Sequence, residues 1–226
     1  MRDGNGLGGD WFVAPSGTAG AMKIISWNLL RLKGASLEDV VRLIRLEHPD
    51  LLLMQEATHD IGGLTARIGG HFARTPLPGR IHGLAMWSPT PMRHVPTIVK
   101  LPPGSMFERF GQVLDVGDFA VANVHLSHGQ LLNRRQLRRL VRSLPLRAAV
   151  LGDFNLLGPA LLPGFHDVGP RHPTHVMGEI LPIRIDRCLV RGLTCSERAV
   201  LPRHRSDHRP IVVRLQVSAA TTRSAA

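Results

Sequence analysis

Apolar residues occur along the chain in short runs, and most of these runs end in a polar or charged residue. Residues 22–30 (MKIISWNLL) and 51–57 (LLLMQEA) have the β-branched and aliphatic character of strands. Between them, residues 36–50 begin at Ser36, a candidate N-cap, and stop at Pro49. Their apolar positions recur at helical spacing, with His48 as a further candidate: Leu37, Val40, Val41 and Ile44. This order of strand, helix and strand predicts a βαβ-like unit.

The middle of the chain predicts further strands, which follow one another with turn residues between them. Residues 83–88, 93–101, 109–117 and 118–127 indicate a meander. Residues 129–144 predict a helix whose apolar stripe consists of Leu137, Leu140, Val141 and Leu144. Three more strands are predicted at 147–155, 182–190 and 208–217.

Neither a repeat nor a linker interrupts these elements, which favours one domain over residues 22–217. Residues 1–21 are glycine-rich and are expected to be a flexible extension, with Met22 as an alternative start. Residues 218–226 are expected to form a disordered tail. The chain has no run of 18 apolar residues and its start lacks a secretory pattern, so we expect a cytoplasmic protein.

The charge of the chain is strongly positive, at +11, with 28 Lys and Arg against 17 Asp and Glu. Residues 133–147 hold six arginines and no acid. Such a balance favours a polyanionic partner, either nucleic acid or an anionic membrane surface. An arginine-rich composition set by genome bias is the alternative. Cys188 and Cys195 lack metal-site spacing; a single disulfide between them is the less favoured interpretation.

The stretch GDFN, residues 152–155, directly follows the apolar residues 148–151. A carboxylate at the end of a buried strand is costly unless it is paired or bound to a cation, so Asp153 requires compensation. Other polar residues also lie at or beside strand ends: Asn28, Glu56, His125, Asn155, Asp186, Asp207 and His208. Active sites collect at such strand ends in layered α/β folds, and we expect these side chains to meet there.

The residue types at these strand ends suit phosphate chemistry with a hard cation. Asn28, Glu56 and Asp207 offer the oxygen ligands that Mg²⁺ prefers. Asp153 and Asn155 lie about 7 Å apart on one face of an extended segment, so both can face one phosphate. Each signal has an ordinary structural explanation when taken alone, because an Asp after a strand is often a turn former and His125 can be a core histidine.

The order of six short blocks is more specific than any one of them: SWNL, MQE, NVHLS, GDFN, RIDR and SDHRP. In this order they resemble the endonuclease/exonuclease/phosphatase superfamily, which includes deoxyribonuclease I, exonuclease III and the neutral sphingomyelinases. The resemblance covers nearly all of the chain after Met22. It implies an α+β fold, a four-layer αββα sandwich of two mixed sheets flanked by helices, with the site at one end of the sheets.

The resemblance also implies an activity and roles for the residues. The activity would be Mg²⁺-dependent phosphodiester hydrolysis, with Mn²⁺ as an alternative ion. Glu56 would bind the metal directly, Asp207 would be a further ligand, and Asn28 would lie nearby. Asp153 and Asn155 would flank the scissile phosphate. The expected catalytic histidines are His208, oriented by Asp186, and His125, in contact with a phosphate oxygen.

The chain departs from the family pattern at several positions. Pro89 stands where members often have an arginine, and the chain has no tyrosine, unlike abasic-site nucleases of the family. His175 replaces an aromatic residue of small bacterial members, and the neighbouring Thr174 is a candidate phosphate contact.

The expected substrate is nucleic acid, with Arg134, Arg135 and Arg138 of the basic helix as contacts to backbone phosphates. A merely solvated helix face is the alternative for these arginines. A phospholipid or small phosphoester is the second hypothesis, although we find no apolar hairpin that would insert into a membrane. A catalytically inactive binding module is the third. No obligate protein partner is evident.

Overall fold

The structure is a computed structural model, and it describes residues 20–104, 108–178 and 180–218. Most of the expected extension, 1–21, and of the expected tail, 218–226, lies outside these residues. Within them, no helix combines the length and the apolar character needed to cross a membrane.

In the described residues, the main elements are two six-stranded sheets and three α-helices. The first sheet consists, in spatial order, of β13 (Leu193–Val200), β14 (Ile211–Val217), β1 (Met22–Asn28), β2 (Leu51–Thr58), β4 (His82–Ser88) and β3 (His71–Pro76). The second consists of β5 (Thr97–Lys100), β6 (Phe110–Asp115), β7 (Ala120–His125), β8 (Ala148–Asp153), β12 (Asp186–Arg191) and β9 (His166–Asp167). A small hairpin joins β10 (His175–Met177) to β11 (Leu181–Ile183). The helices are α1 (Leu37–Glu47), α2 (Leu64–Ile68) and α3 (Gln130–Val141).

Helix α1 forms where the sequence predicts it, and β1 and β2 on either side of it are parallel. The Ser36 hydroxyl accepts from the Asp39 amide while the Asp39 carboxylate accepts from the Ser36 amide, which is a reciprocal cap. His48 is not part of the buried stripe. It is exposed and ends the helix with a φ of 46°, a left-handed conformation that turns the chain toward β2.

Three apolar clusters fill the space between the layers. One joins α1 and α2 to the outer face of the first sheet, and includes Trp27, Val40 and Met54. A second joins α3 to the outer face of the second sheet through Leu137 and Leu140. The third lies between the two sheets. The expected four-layer αββα sandwich is therefore confirmed.

Buried polar side chains also connect the two sheets. The Gln55 amide on β2 donates to the Asn123 carbonyl on β7 at 2.7 Å, and to the Ser26 hydroxyl on β1 at 3.1 Å. Asn123 donates in turn to the carbonyl oxygens of Met54 and Ala85. Hydrogen bonds require specific geometry, so this cluster fixes the position of one sheet against the other near the ends of β1, β2 and β7.

Several sequence-based boundaries differ from the structure. The expected meander holds for β5, β6 and β7, but residues 82–88 pair with the first sheet instead. The strand expected at 182–190 is divided between the β10–β11 hairpin and β12. Strands β3 and β13 were not predicted, because they lie at sheet edges and carry mostly exposed or half-buried residues.

The edge strand β9 is held by an ion-pair cluster. The Asp167 carboxylate accepts from both terminal nitrogens of Arg184, at 2.8 and 2.6 Å, and from Arg187 at 3.1 Å. Burial raises the pKa of Asp167, but the two arginines outweigh it and hold the pKa below its ordinary value. The ionised carboxylate therefore stabilises the folded state.

We expect Asp167→Asn to lower the free energy of unfolding at pH 7 by about 3 kcal/mol, because two largely buried guanidinium groups lose their counter-charge. Since the folded-state pKa is depressed, this stabilisation is present above the unfolded pKa of about 3.9 and is lost as the pH falls through the folded value. Urea unfolding at pH 7 and at pH 3 measures it. An equal difference between mutant and wild type at both pH values would contradict this account.

Candidate active site

Strand β8 ends in Asp153, whose carboxylate lies at the edge where the two sheets meet. The preceding Gly152 has a φ of 140°, and a Cβ there would collide with the carbonyl oxygen of Val124 on β7. Glycine is thus required for the close approach of β7 and β8. That approach pairs Asp153 with His125 on β7 and with Asp186 on β12 in the sheet register.

The Asp153 carboxylate is 2% exposed and is surrounded by nitrogen atoms. Its Oδ1 accepts from the Asn155 backbone amide at 2.9 Å. Its Oδ2 accepts from the side-chain amides of Asn28, at 3.0 Å, and Asn155, at 3.4 Å. The Nε2 atoms of His125 and His208 lie 3.4 and 3.7 Å from the same oxygen. These groups are the compensation that a buried carboxylate at this position requires.

His208 lies between two carboxylates. Its Nδ1 is 2.8 Å from Oδ2 of Asp186, and its Nε2 faces Asp153. Burial favours the neutral imidazole, but the charges of Asp186 and Asp153 outweigh it and raise the pKa of His208 to about 10. Burial raises the pKa of Asp153 to about 6, against the opposing effect of His208. At neutral pH the site therefore holds an imidazolium beside a carboxylate.

His125 differs from His208 in its charge state. It is buried, and burial together with the positive charge of Arg109 holds its pKa well below the ordinary value. His125 is consequently a neutral imidazole at physiological pH.

Glu56 enters the site through an irregularity in β2. The pairing of β2 with β4 shifts register between Met54 and Ala57, and Glu56 has a φ of 55°. A bulge of this kind changes the direction of a side chain, and left-handed backbone at a non-glycine residue is strained. Burial raises the pKa of Glu56, although Arg31 at 3.8 Å opposes it.

Two distant sequence blocks, SWN on β1 and SDH before β14, are joined by hydrogen bonds. The Ser206 hydroxyl donates to the Asn28 carbonyl oxygen at 2.7 Å and accepts from the His208 amide. The Trp27 indole donates to the His208 carbonyl oxygen at 3.1 Å. These bonds position Asn28, Asp207 and His208 relative to each other.

Three carboxylate oxygens in this region are buried without a hydrogen-bond partner in the part of the chain that the structure describes: Oε2 of Glu56, Oδ1 of Asp186 and Oδ1 of Asp207. Buried anionic oxygens of this kind are the donor set that a hard divalent cation takes. The residues therefore fit such an ion. Asn28 uses both ends of its amide within the protein, since its oxygen accepts from the Leu30 amide, which favours orientation of Asp153 over metal coordination.

Comparison with known proteins places this arrangement in a wider group. The model of the Endonuclease/Exonuclease/phosphatase family matches residues 25–208, from β1 to His208. The chain belongs to this family. No curated protein matches its sequence.

Solved structures of the endonuclease/exonuclease/phosphatase fold superimpose on most of the chain. The protein of that name from Bacteroides vulgatus has a TM-score of 0.74 at 16% identity, and the match covers 88% of this chain and 99% of that one. D. rerio TDP2, complexed with a single-strand DNA product, has a TM-score of 0.70 at 17% identity, and the match covers 87% of this chain and 99% of that one. The human Nocturnin catalytic domain has a TM-score of 0.66 at 17% identity, and the match covers 88% of this chain and 94% of that one. At these identities, the likeness shows the shared fold.

Arg109 is a site residue that the sequence did not indicate. It begins the segment leading into β6, is 7% exposed, and its charge acts on both Asp153 and Glu56. No local signal marks Arg109, because the surrounding sequence is an ordinary strand.

The structure assigns Thr174 to a different role from the expected phosphate contact. Thr174 is fully buried, and its hydroxyl accepts from the backbone amides of Ile185 and Asp186, at 3.2 and 3.0 Å. It therefore holds the start of β12, from which Asp186 reaches His208.

The arginines of α3 also differ among themselves. The Arg134 guanidinium is half-buried and donates to the carbonyl oxygens of Gln130 and Pro159, so it fixes the loop after β8. Arg135 and Arg138 are exposed, as are Arg139 and Arg142. The basic surface consists of these four residues.

Proposed function

We propose that this chain is a divalent-metal-dependent phosphodiesterase whose substrate is nucleic acid. The observation that carries the proposal is the position of the Asp153 carboxylate between neutral His125 and cationic His208, together with the buried oxygens of Glu56 and Asp207 that make no hydrogen bond among the described residues. A phosphodiester needs a base for the attacking water and positive charge for its oxygens, and this site offers both.

The residues fit the steps of hydrolysis. Asp153 takes a proton from water as the water oxygen bonds to phosphorus and the ester P–O bond breaks; the leaving oxygen takes a proton from solvent. The imidazolium of His208, held by Asp186, donates a hydrogen bond to a phosphate oxygen. His125 contacts the same phosphate, and Arg109 adds positive charge. Asn155 donates its side-chain amide to the Leu126 carbonyl oxygen and to Asp153, so it holds that carboxylate in place.

Glu56 and Asp207 are the residues that would hold the cation. When bound, Mg²⁺ or Mn²⁺ neutralises negative charge that develops on the phosphate. Asn28 orients Asp153 through its side-chain amide.

The position of α3 supports nucleic acid as the substrate. Its first turn contacts the site loop, because the Asn133 amide donates to the carbonyl oxygen of Asn155 at 3.0 Å. After this turn, Arg135, Arg138 and Arg142 recur at helical spacing on the exposed side of α3. A long polyanion bound at the site can therefore reach these arginines, whereas a small phosphodiester cannot.

One observation favours a phospholipid as the second candidate. The β10–β11 hairpin adjoins the site through the bridge between His175 and His208, and Met177, Ile180 and Leu181 are exposed on it. This hairpin is not evident from the sequence alone. An exposed apolar group of this kind suits contact with lipid as well as with unstacked bases.

We expect EDTA to abolish hydrolysis of a bis-aryl phosphodiester and Mg²⁺ or Mn²⁺ to restore it. Glu56→Gln removes a charged ligand, so it should raise the Mg²⁺ concentration for half-maximal activity about tenfold or more. The control is Glu197→Gln, an exposed carboxylate on β13, which should behave as wild type. Full activity in EDTA would refute the metal assignment.

We expect Arg135→Glu combined with Arg138→Glu to raise KM for DNA or RNA, because two contacts to backbone phosphates are lost. The slope of log binding constant against log salt concentration should fall by about two units. Turnover of the bis-aryl phosphodiester should not change. The matched control is Arg42→Glu with Arg45→Glu, two exposed arginines at the same spacing on α1.

Two results would contradict the nucleic-acid assignment. Equal losses on the small and the long substrate would mean that α3 supports the site structurally. Unchanged binding of nucleic acid, with weaker binding to anionic lipid vesicles, would favour the phospholipid instead.

A further inference from the structure

His175 lies beside Asp207 at the expected metal-binding edge of the site. Its Nδ1 is 3.7 Å from Oδ2 of Asp207, and its ring packs on the ring of His208 with 4.4 Å between centroids. We propose that His175 Nδ1 is a ligand of the divalent ion bound by Asp207, which gives the site a preference for a first-row transition metal over Mg²⁺. The inference rests on the metal site of the proposed function.

The geometry of this pair suits a shared ion better than a direct bond. At 3.7 Å the two atoms are too far apart for a hydrogen bond. Ligand atoms on one octahedral ion with bonds of about 2.1 Å lie about 3.0–4.2 Å apart, which includes the observed separation. One ligand atom from each of His175, Asp207 and His208 lies within 4.8 Å of the others.

Two buried atoms in this cluster lack a hydrogen-bond partner among the described residues: Nδ1 of His175 and Oδ1 of Asp207. A neutral imidazole nitrogen and carboxylate oxygens together are a mixed ligand set. Mg²⁺ takes oxygen ligands, whereas imidazole suits first-row transition metals, so a nitrogen at this position changes which ion is preferred.

His208 is less suited to supply that nitrogen. Its Nδ1 is already 2.8 Å from Asp186, and its Nε2 faces Asp153 as well as Asp207. By contrast, Nδ1 of His175 makes no hydrogen bond to another described residue. The backbone of His175 is held by pairing with His208 and with Ile183, which fixes the position from which its side chain extends.

The test uses the full chain loaded with Mn²⁺ and measures electron spin-echo modulation, in which a coordinated ¹⁴N nucleus gives a distinct signal. We expect a nitrogen signal in the wild type and its loss in His175→Phe, which retains an aromatic ring against His208. Titration should show an Mn²⁺ dissociation constant raised about tenfold, with the Mg²⁺ constant changed much less. His172→Phe is the control, since His172 is exposed on the same segment.

A second variant tests the same role of His175 if His175→Phe does not fold. His175→Gln offers an oxygen in place of nitrogen, so it should also lose the nitrogen signal while retaining Mg²⁺ binding, and a thermal melt reports whether each variant is folded. Mn²⁺ bound with no nitrogen signal, or a signal that persists in both variants, would overturn the role of His175 and leave the phosphodiesterase proposal intact. Failure of the wild type to bind either ion would overturn both.

Discussion

The buried carboxylate of Asp153 is the constraint on which the site depends. It is almost fully removed from water at the end of a hydrophobic strand, so its charge must be balanced by neighbouring groups. Asn28 comes from the first sheet, His125 from the neighbouring strand, and His208 from the segment before the last strand. The site therefore cannot form until the two sheets have packed together.

Each supporting group is itself fixed by a more distant one. Asp186 holds His208, and the hydroxyl of Thr174 holds the backbone of Asp186. Ser206 and Trp27 join the loop that carries His208 to β1. Between the sheets, Gln55 and Asn123 form a hydrogen bond that sets the alignment of β2 and β7. The strained backbone at Glu56, with a φ of 55°, is the local cost of directing that carboxylate into the site.

Much of this arrangement was predictable from the sequence, for a physical reason. Strand ends are marked by a change from apolar to polar residues, and strands of a layered fold end at a common edge, so Asp153, His125 and His208 could be expected to meet. The family resemblance carried by six sequence blocks implied the four-layer fold, and the two packed six-stranded sheets confirm it. Helix α1 was predictable because its cap and its stripe are local features.

Other features depend on contacts that no local pattern encodes. Arg109 is buried at the site by the packing of residues far away in sequence, and nothing near it signals this. Thr174 and Arg134 have the residue types of phosphate contacts, yet both are used to hold backbone segments. The edge strands β3 and β13 lack the alternation of apolar and polar residues by which a strand is recognised, because little of either strand is fully buried.

In the proposed mechanism Asp153 and His208 act in the same step, the first as the base and the second as a hydrogen-bond donor to the phosphate, so they should behave as a unit. A double-mutant cycle with Asp153→Asn and His208→Ala tests it most directly, with kcat/KM for the bis-aryl phosphodiester as the readout and Mg²⁺ at saturation. Each single variant should lose at least about a hundredfold, and the double variant should be little worse than the poorer single one. Losses that multiply would contradict the claim, and so would a single variant with activity near that of the wild type.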